Sequence, residues 1–254
     1  MRREVPAVQA EYIDVARART LPGLRLVLTT GVPGPWGEAA KGIFHAKGIP
    51  FARVAQSAGA PNDELFAWTG HRNAPVAMYA DEPARTTWRE ILWLAERMQP
   101  EPSLLPSDPE ERVRCLGLAE ELMGVGGFGW NRRLMLLRPN LGRMTTQYGY
   151  SSADADAAPE QIAQTLTVLA RQLAGQRAKG RRYLIGDRLS AVDIYWAAMA
   201  ALVSPLPDDV CAMPEMVRGL YGNPGPIVAK ALDPALLEHR DLVYSEHMEF
   251  PLAL

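Results

Sequence analysis

The sequence predicts an α+β domain followed by an all-α domain. Two observations carry that expectation. Residues 22–98 alternate short β-branched apolar runs with helical spacing, whereas the pattern beyond residue 109 is helical only. Between them, Gln99-Pro-Glu-Pro-Ser-Leu-Leu-Pro-Ser-Asp-Pro109 places four prolines in eleven residues, a stiff spacer and not a core segment.

Residues 1–21 read as an N-terminal extension, helical near Tyr12 to Ala18 and stopped by Pro22-Gly23. Leu24 to Thr30 is a buried strand bounded by Pro-Gly and Gly31. Gly31-Val-Pro-Gly-Pro-Trp36 turns the chain, and Pro35 suits a first helical position. Ala39, Ala40, Ile43, Phe44 and Lys47 then repeat at helical spacing until Gly48. Ile49 to Val54 is a second strand, with Pro50 at its start or on a sheet edge. Pro61 to Trp68 forms a short helix. A turn and third strand occupy Asn73 to Ala80, and Ala84-Arg-Thr86 is a short fourth strand. Trp88, Ile91, Leu92, Leu94 and Ala95 mark a helix ending near Met98.

Past the spacer, helices are predicted near 109–123, 129–138, 156–178, 190–203, 212–221 and 226–238, with Ala153 to Ala158 a loop leading into the third. The domain limits expected are thus 1–21, 22–98, 99–109 and 110–254, the last carrying a helical and coil tail from 206. Gly124-Val-Gly-Gly-Phe-Gly-Trp130 breaks or kinks the helical run, because each glycine is less favourable than alanine in a helix by about 1 kcal/mol.

The chain has 254 residues, 48% of them hydrophobic, enough for a sizeable core. A net charge of −2 without a basic stripe argues against nucleic acid. Cys115 and Cys211 form no C-x-x-C pair, and the four histidines have no metal spacing or visible Ser-His-Asp set, so no metal is expected. Gly31, Gly34 and Gly37 fit neither the Walker nor the dinucleotide fingerprint. With no signal core and no long apolar run, a soluble cytoplasmic protein without membrane association is expected.

The most informative segment is Tyr183-Leu-Ile-Gly-Asp-Arg-Leu-Ser-Ala-Val-Asp-Ile-Tyr-Trp196. Ser190 is an N-cap, and the Asp193 carboxylate, three residues on, reaches the Ser190 N–H. Leu189 and Ile194 are spaced for a hydrophobic staple, and Gly186-Asp187 supplies the turn before the cap. This wording resembles the capping motif of the helical domain in cytosolic glutathione transferases, here of bacterial type with a divergent first loop. With the order of elements, the resemblance covers roughly residues 22–205.

It implies a thioredoxin-like first domain that binds glutathione as co-substrate. The helical domain would hold a hydrophobic electrophile for detoxification chemistry, in a homodimer. The protein's task would be to lower the thiol pKa by a hydroxyl and a helix N-terminus. The family's tyrosine position falls near Thr30 and its serine or cysteine position at Gly34, so Thr30, with Thr29 beside it, is the implied activating group. Implied glutathione contacts are Gly34, Trp36, Ala74 and Pro75 at the family's cis-proline, and Arg85, Thr86 and Thr87 where the γ-glutamyl carboxylate is held. Thr87 also reads as an N-cap with Glu90 completing a capping box. Phe128, Trp130 and Arg133 are implied for the electrophile pocket, with Met123, Met135 and Met144 as further candidates. A non-catalytic binding or assembly protein on the same fold remains the alternative, as does a glutathione-dependent lyase or isomerase.

Overall fold

The computed structural model describes residues 10–137, 145 and 149–254. They form two compact units. The first comprises residues 10–103, Leu206–Val217 and His247–Leu254, and the second the described residues of Leu104–Pro205 together with Arg218–Glu246.

The first unit is built on a four-stranded sheet in the order β1-β3-β2-β4, with β1 Tyr12–Ile13, β2 Leu24–Thr29, β3 Phe51–Gln56 and β4 Val76–Tyr79. β1, β3 and β2 run parallel, and β4 pairs antiparallel with β2. Leu24 to Leu28 are all buried, as a strand covered on both faces requires. Arg25 is tolerated there because its guanidinium donates to the carbonyls of Gly23 and Ala80 and lies 5.7 Å from the Trp68 ring. Helices α1 (Val15–Thr20), α2 (Pro35–Ala46), α3 (Asp63–Thr69) and α4 (Trp88–Met98) complete the unit. α2 begins at Gly34 with Pro35 in its first turn and approaches β2 closely: a Cβ on Gly37 would lie 3.2 Å from Leu28 Cδ2.

The N-terminal segment differs from the sequence reading. Tyr12–Ile13 is an edge strand, and the helix starts only at Val15, after Asp14 caps it by accepting the Arg17 N–H. β3 is an inner strand, so Pro50 precedes its start and interrupts no ladder. The expected fourth strand over Ala84–Thr86 reduces to one bridge between Ala77 and Arg85.

The second unit contains α5 (Pro109–Met123), α6 (Phe128–Leu137), α7 (Ser152–Arg177), α8 (Ala191–Ala200) and α10 (Pro226–Ala231), and α9 (Glu215–Tyr221) and α11 (Pro234–His247) each lie partly in it. Residues 153–158, expected as a loop, belong to α7. Ser151 caps it by accepting the Asp154 N–H, and Ala155 and Ala158 open the buried stripe continued by Ile162, Leu166, Leu169 and Leu173. The single helix expected over 226–238 is two, because Pro234 lacks the N–H that continuity requires. α8 is buried at every residue, and Phe128 meets Trp196 edge-on at 5.8 Å. Among the described residues no helix is long and apolar enough to cross a membrane.

The tail kept with the helical part by the sequence reading is divided. Leu206–Val217 and His247–Leu254 return to the first unit, where the Leu252 N–H donates to Val210 O and Lys41 Nζ donates to Ala253 O.

Candidate functional site

Sheet register gathers three of the predicted segments at one end of the first unit. β2 ends at Thr29, and its antiparallel pairing of Val27 with Val76 puts Ala74–Pro75, at the start of β4, beside that end. Ala77 pairs with Arg85 through two 2.9 Å backbone bonds, which brings Thr86–Thr87 back alongside Pro75–Val76. The loop from Thr30 to Gly34 leaves the same end of β2 and leads into the N-terminus of α2. The Ala74–Pro75 peptide is cis.

Within this cluster the two threonines differ. The Thr29 hydroxyl donates to Gln56 Oε1 at 2.7 Å and is committed to the sheet. Thr30 is held by its N–H, which donates to Gln56 O at 3.1 Å, whereas its hydroxyl reaches the same carbonyl only at 3.5 Å, the outer limit of a hydrogen bond. The Thr30 hydroxyl is therefore the more available of the two. Gln56, buried at the end of β3, also donates from Nε2 to Ser57 O and Arg72 O. Sequence reasoning missed it. Its signal is a polar residue directly after the apolar end of a strand.

Gly34 is the N-cap of α2 and offers no side chain, which leaves backbone N–H groups of the first turn as its donors. Trp36 is half-buried in that turn. Arg85 is engaged by Glu82 at 3.0 Å and by Pro83 O. Thr87 caps α4 and accepts the Glu90 N–H at 3.2 Å. In return Glu90 Oε2 accepts the N–H groups of Thr86 and Thr87 and the Thr87 hydroxyl, each at 3.0 Å. The Thr86 N–H bond, working against burial and joined by the bonds from Thr87, holds the Glu90 carboxyl below its ordinary range.

The residues expected for an electrophile pocket belong to the second unit and differ in burial. Phe128 is fully buried and meets Trp196 edge-on, as a core residue does. Trp130 and Arg133 are half-buried, with the Arg133 guanidinium 5.4 Å from the Trp130 ring. Met123 is buried, Met135 is half-buried, and Met144 lies outside the described residues.

The predicted cap at Ser190 is present. Asp193, with no exposed surface, accepts the Ser190 N–H at 2.9 Å and the Ser190 hydroxyl at 2.6 Å on one oxygen. The other oxygen accepts the Leu184 N–H and contacts His239 Nε2, both at 2.8 Å. Ser190 bonds the carboxylate and not the histidine, so this is a folding network without the order of a nucleophilic triad. No three His, Cys, Asp or Glu side chains assemble a metal site among the described residues.

No family model and no curated protein sequence matches this chain. Solved structures do. A glutathione S-transferase from Methylobacillus flagellatus with glutathione bound superposes with a TM-score of 0.63 at 12% identity, covering 88% of this chain and 95% of that one. The chain has the glutathione transferase fold. A Methylobacterium radiotolerans glutathione S-transferase in complex with glutathione sulfonate gives 0.61 at 18% identity, over 88% and 91% of the two chains. Ure2p in complex with glutathione gives 0.58 at 14% identity, over 86% and 99%.

Proposed function

We propose that this protein binds glutathione at the end of β2 and β4 and activates its thiol for attack on a hydrophobic electrophile. The observation that carries the reading is the convergence of Thr30, the α2 N-terminus, Pro75 and the Thr86–Thr87 helix start at one end of the sheet. Structures of the same fold hold glutathione or its sulfonate. In this reading the backbone of Ala74 pairs with the cysteinyl portion. The Thr30 hydroxyl, which has no strong partner of its own, donates to the sulfur. The positive end of α2 adds to the lowering of the thiol pKa, so that more thiolate is present at neutral pH. The electrophile is held by the helical unit, with Trp130 and Arg133 as its candidates, and the working form is a cytoplasmic homodimer.

Titration calorimetry with glutathione, followed by ultraviolet detection of bound thiolate, tests the first half. Turnover of an activated aryl chloride tests the second. Thr30→Ala should leave glutathione affinity nearly unchanged and lower turnover by about a hundredfold, the usual loss on removing one donor to a developing anion. Unchanged turnover removes Thr30 from the mechanism. Absence of a tyrosine, serine or cysteine at the first loop favours one second reading, a non-catalytic ligand-binding protein on this fold. Binding of glutathione as the thiol, without thiolate and without turnover, would establish it in place of the first.

A further inference from the structure

Arg25 is a buried cation whose partners are all neutral. It stands near the start of β2, 5% exposed, and donates from Nη1 to Gly23 O at 2.7 Å and from Nη2 to Ala80 O at 3.2 Å. Those two bonds leave three of a guanidinium's five N–H groups without an acceptor among the described residues, the buried Nε–H included. No carboxylate among the described residues pairs with it. A buried charge ordinarily has an opposite charge beside it, because its lost hydration is otherwise uncompensated.

Arg25 lines a cavity of about 570 Å³ together with Arg19, Trp68, Asp81 and Glu82. Glu82 is already held by Arg85 and Arg97. Arg19 and Asp81 are exposed, and their side chains make no hydrogen bond or ion pair among the described residues. Two cations thus face one unanswered carboxylate, and the single positive charge left over suits a monoanion. The half-buried Trp68 ring, 5.7 Å from the guanidinium, sets an apolar surface beside that charge. β2 runs on from Arg25 to Thr29, so the cavity lies about 13 Å along the strand from the end that gathers Thr30 and Pro75.

We infer that this cavity is a second binding site, for a small monocarboxylate with a flat apolar body. The unused N–H groups of Arg25 receive the carboxylate, whose planar shape matches a guanidinium fork. Arg19 adds charge from the rim, and the ligand body lies against Trp68. Asp81 selects against more highly charged anions such as phosphate through like-charge repulsion.

Calorimetric titration of the full chain with benzoate tests the site, against benzamide as the uncharged isostere and inorganic phosphate as the competing oxyanion. The parent should bind benzoate at millimolar concentration, and the other two at least about tenfold more weakly. Arg25→Met keeps much of the stem and removes the charge, and should weaken benzoate binding at least about tenfold. Arg25→Lys keeps the charge without the fork and should recover only part of that loss. Thermal melts confirm folding. Should Arg25→Met fail to fold, Arg19→Ser on the surface decides: it should weaken benzoate binding about threefold and leave benzamide unaffected, and an unchanged benzoate affinity overturns the inference. Absence of benzoate binding by the parent, equal affinity for benzamide, or tighter binding of phosphate also overturns it, as does a folded Arg25→Met variant that binds benzoate like the parent. None of these outcomes bears on the glutathione reading, which concerns the other end of the strand.

Discussion

At the scale of single residues, the buried Asp193 shows what a charged side chain can do without chemistry. It receives two backbone N–H groups, one hydroxyl and one imidazole nitrogen, and so ties residues 184 and 190 and the distant His239 to the start of α8. A buried carboxylate persists only when its acceptor capacity is filled in this way. Asp193→Ala would strand those donors and should destabilise the protein by about 3–5 kcal/mol, the range for breaking a buried charged network. Asp193→Asn keeps the shape but turns an amide N–H₂ toward a donor, and should lose roughly 2 kcal/mol. Urea denaturation measures both; a loss below 1 kcal/mol for the alanine variant would show that the network is dispensable. The Ser190–Asp193 half was readable from sequence because it spans three residues. His239 was not, since its partner lies 46 residues away and nothing local marks the pairing.

Element by element, the same division between local and distant information recurs. The glycine run after α5 was legible as a break, and the structure gives it a steric reason. A Cβ on Gly127 would lie 2.5 Å from the Glu121 carbonyl oxygen, and one on Gly124 would lie 2.7 Å from that of Glu120. The Gly127 clash is with backbone alone, which cannot step aside, whereas a Cβ on Gly124 also meets the Glu120 side chain. Gly127→Ala should therefore lower stability by about 1–3 kcal/mol. Gly117, exposed in the middle of α5, has nothing within 4 Å of its Cβ direction, so Gly117→Ala should raise stability by about 1 kcal/mol. Thermal melts of the two variants must move in opposite directions for this account to hold. Local signals failed where the environment decides. The alanine-rich residues 153–158 lack bulky apolar side chains, yet their small size lets Ala155 and Ala158 bury fully. Residues 84–86 look like a strand, yet among the described residues they form a single bridge, from Arg85 to Ala77. The end of the sheet where Thr30, Pro75 and Thr87 meet depends on register, which a strand pattern suggests only loosely.

The first unit as a whole is closed by the last residues of the chain. Glu249 pairs with Lys41 at 3.1 Å and with Arg53, and Glu38 shares the same lysine at 3.1 Å. Lys41, Arg53 and Glu249 also line one wall of a cavity of about 640 Å³. The two carboxylates answer oppositely to one cation. Burial raises the Glu38 carboxyl above its ordinary 4.5, because Lys41 does not fully offset the lost hydration. Burial also opposes ionisation of Glu249, but the charges of Lys41 and Arg53 and their hydrogen bonds outweigh it, leaving that carboxyl below 4.5. A depressed carboxyl contributes stability above its unfolded value and loses it as pH falls through the folded one. Glu249→Gln should therefore lower stability at pH 7 by about 1–2 kcal/mol, reduced from the fully buried case by solvent screening, and should flatten the loss below pH 4.5. A raised carboxyl works the other way: the fold loses stability as pH climbs from 4.5 through the folded value, because the ionised form is the one disfavoured by burial. Glu38→Gln should then match or exceed the parent's stability at pH 7 and flatten the decline on the neutral side, while Lys41 keeps Glu249 and the Ala253 carbonyl as partners. Chemical denaturation from pH 3 to 8 separates the two limbs. Strong destabilisation by Glu38→Gln at pH 7 would mean that Lys41 depends on Glu38 more than on the returning chain end, and that the cluster is centred on α2 alone.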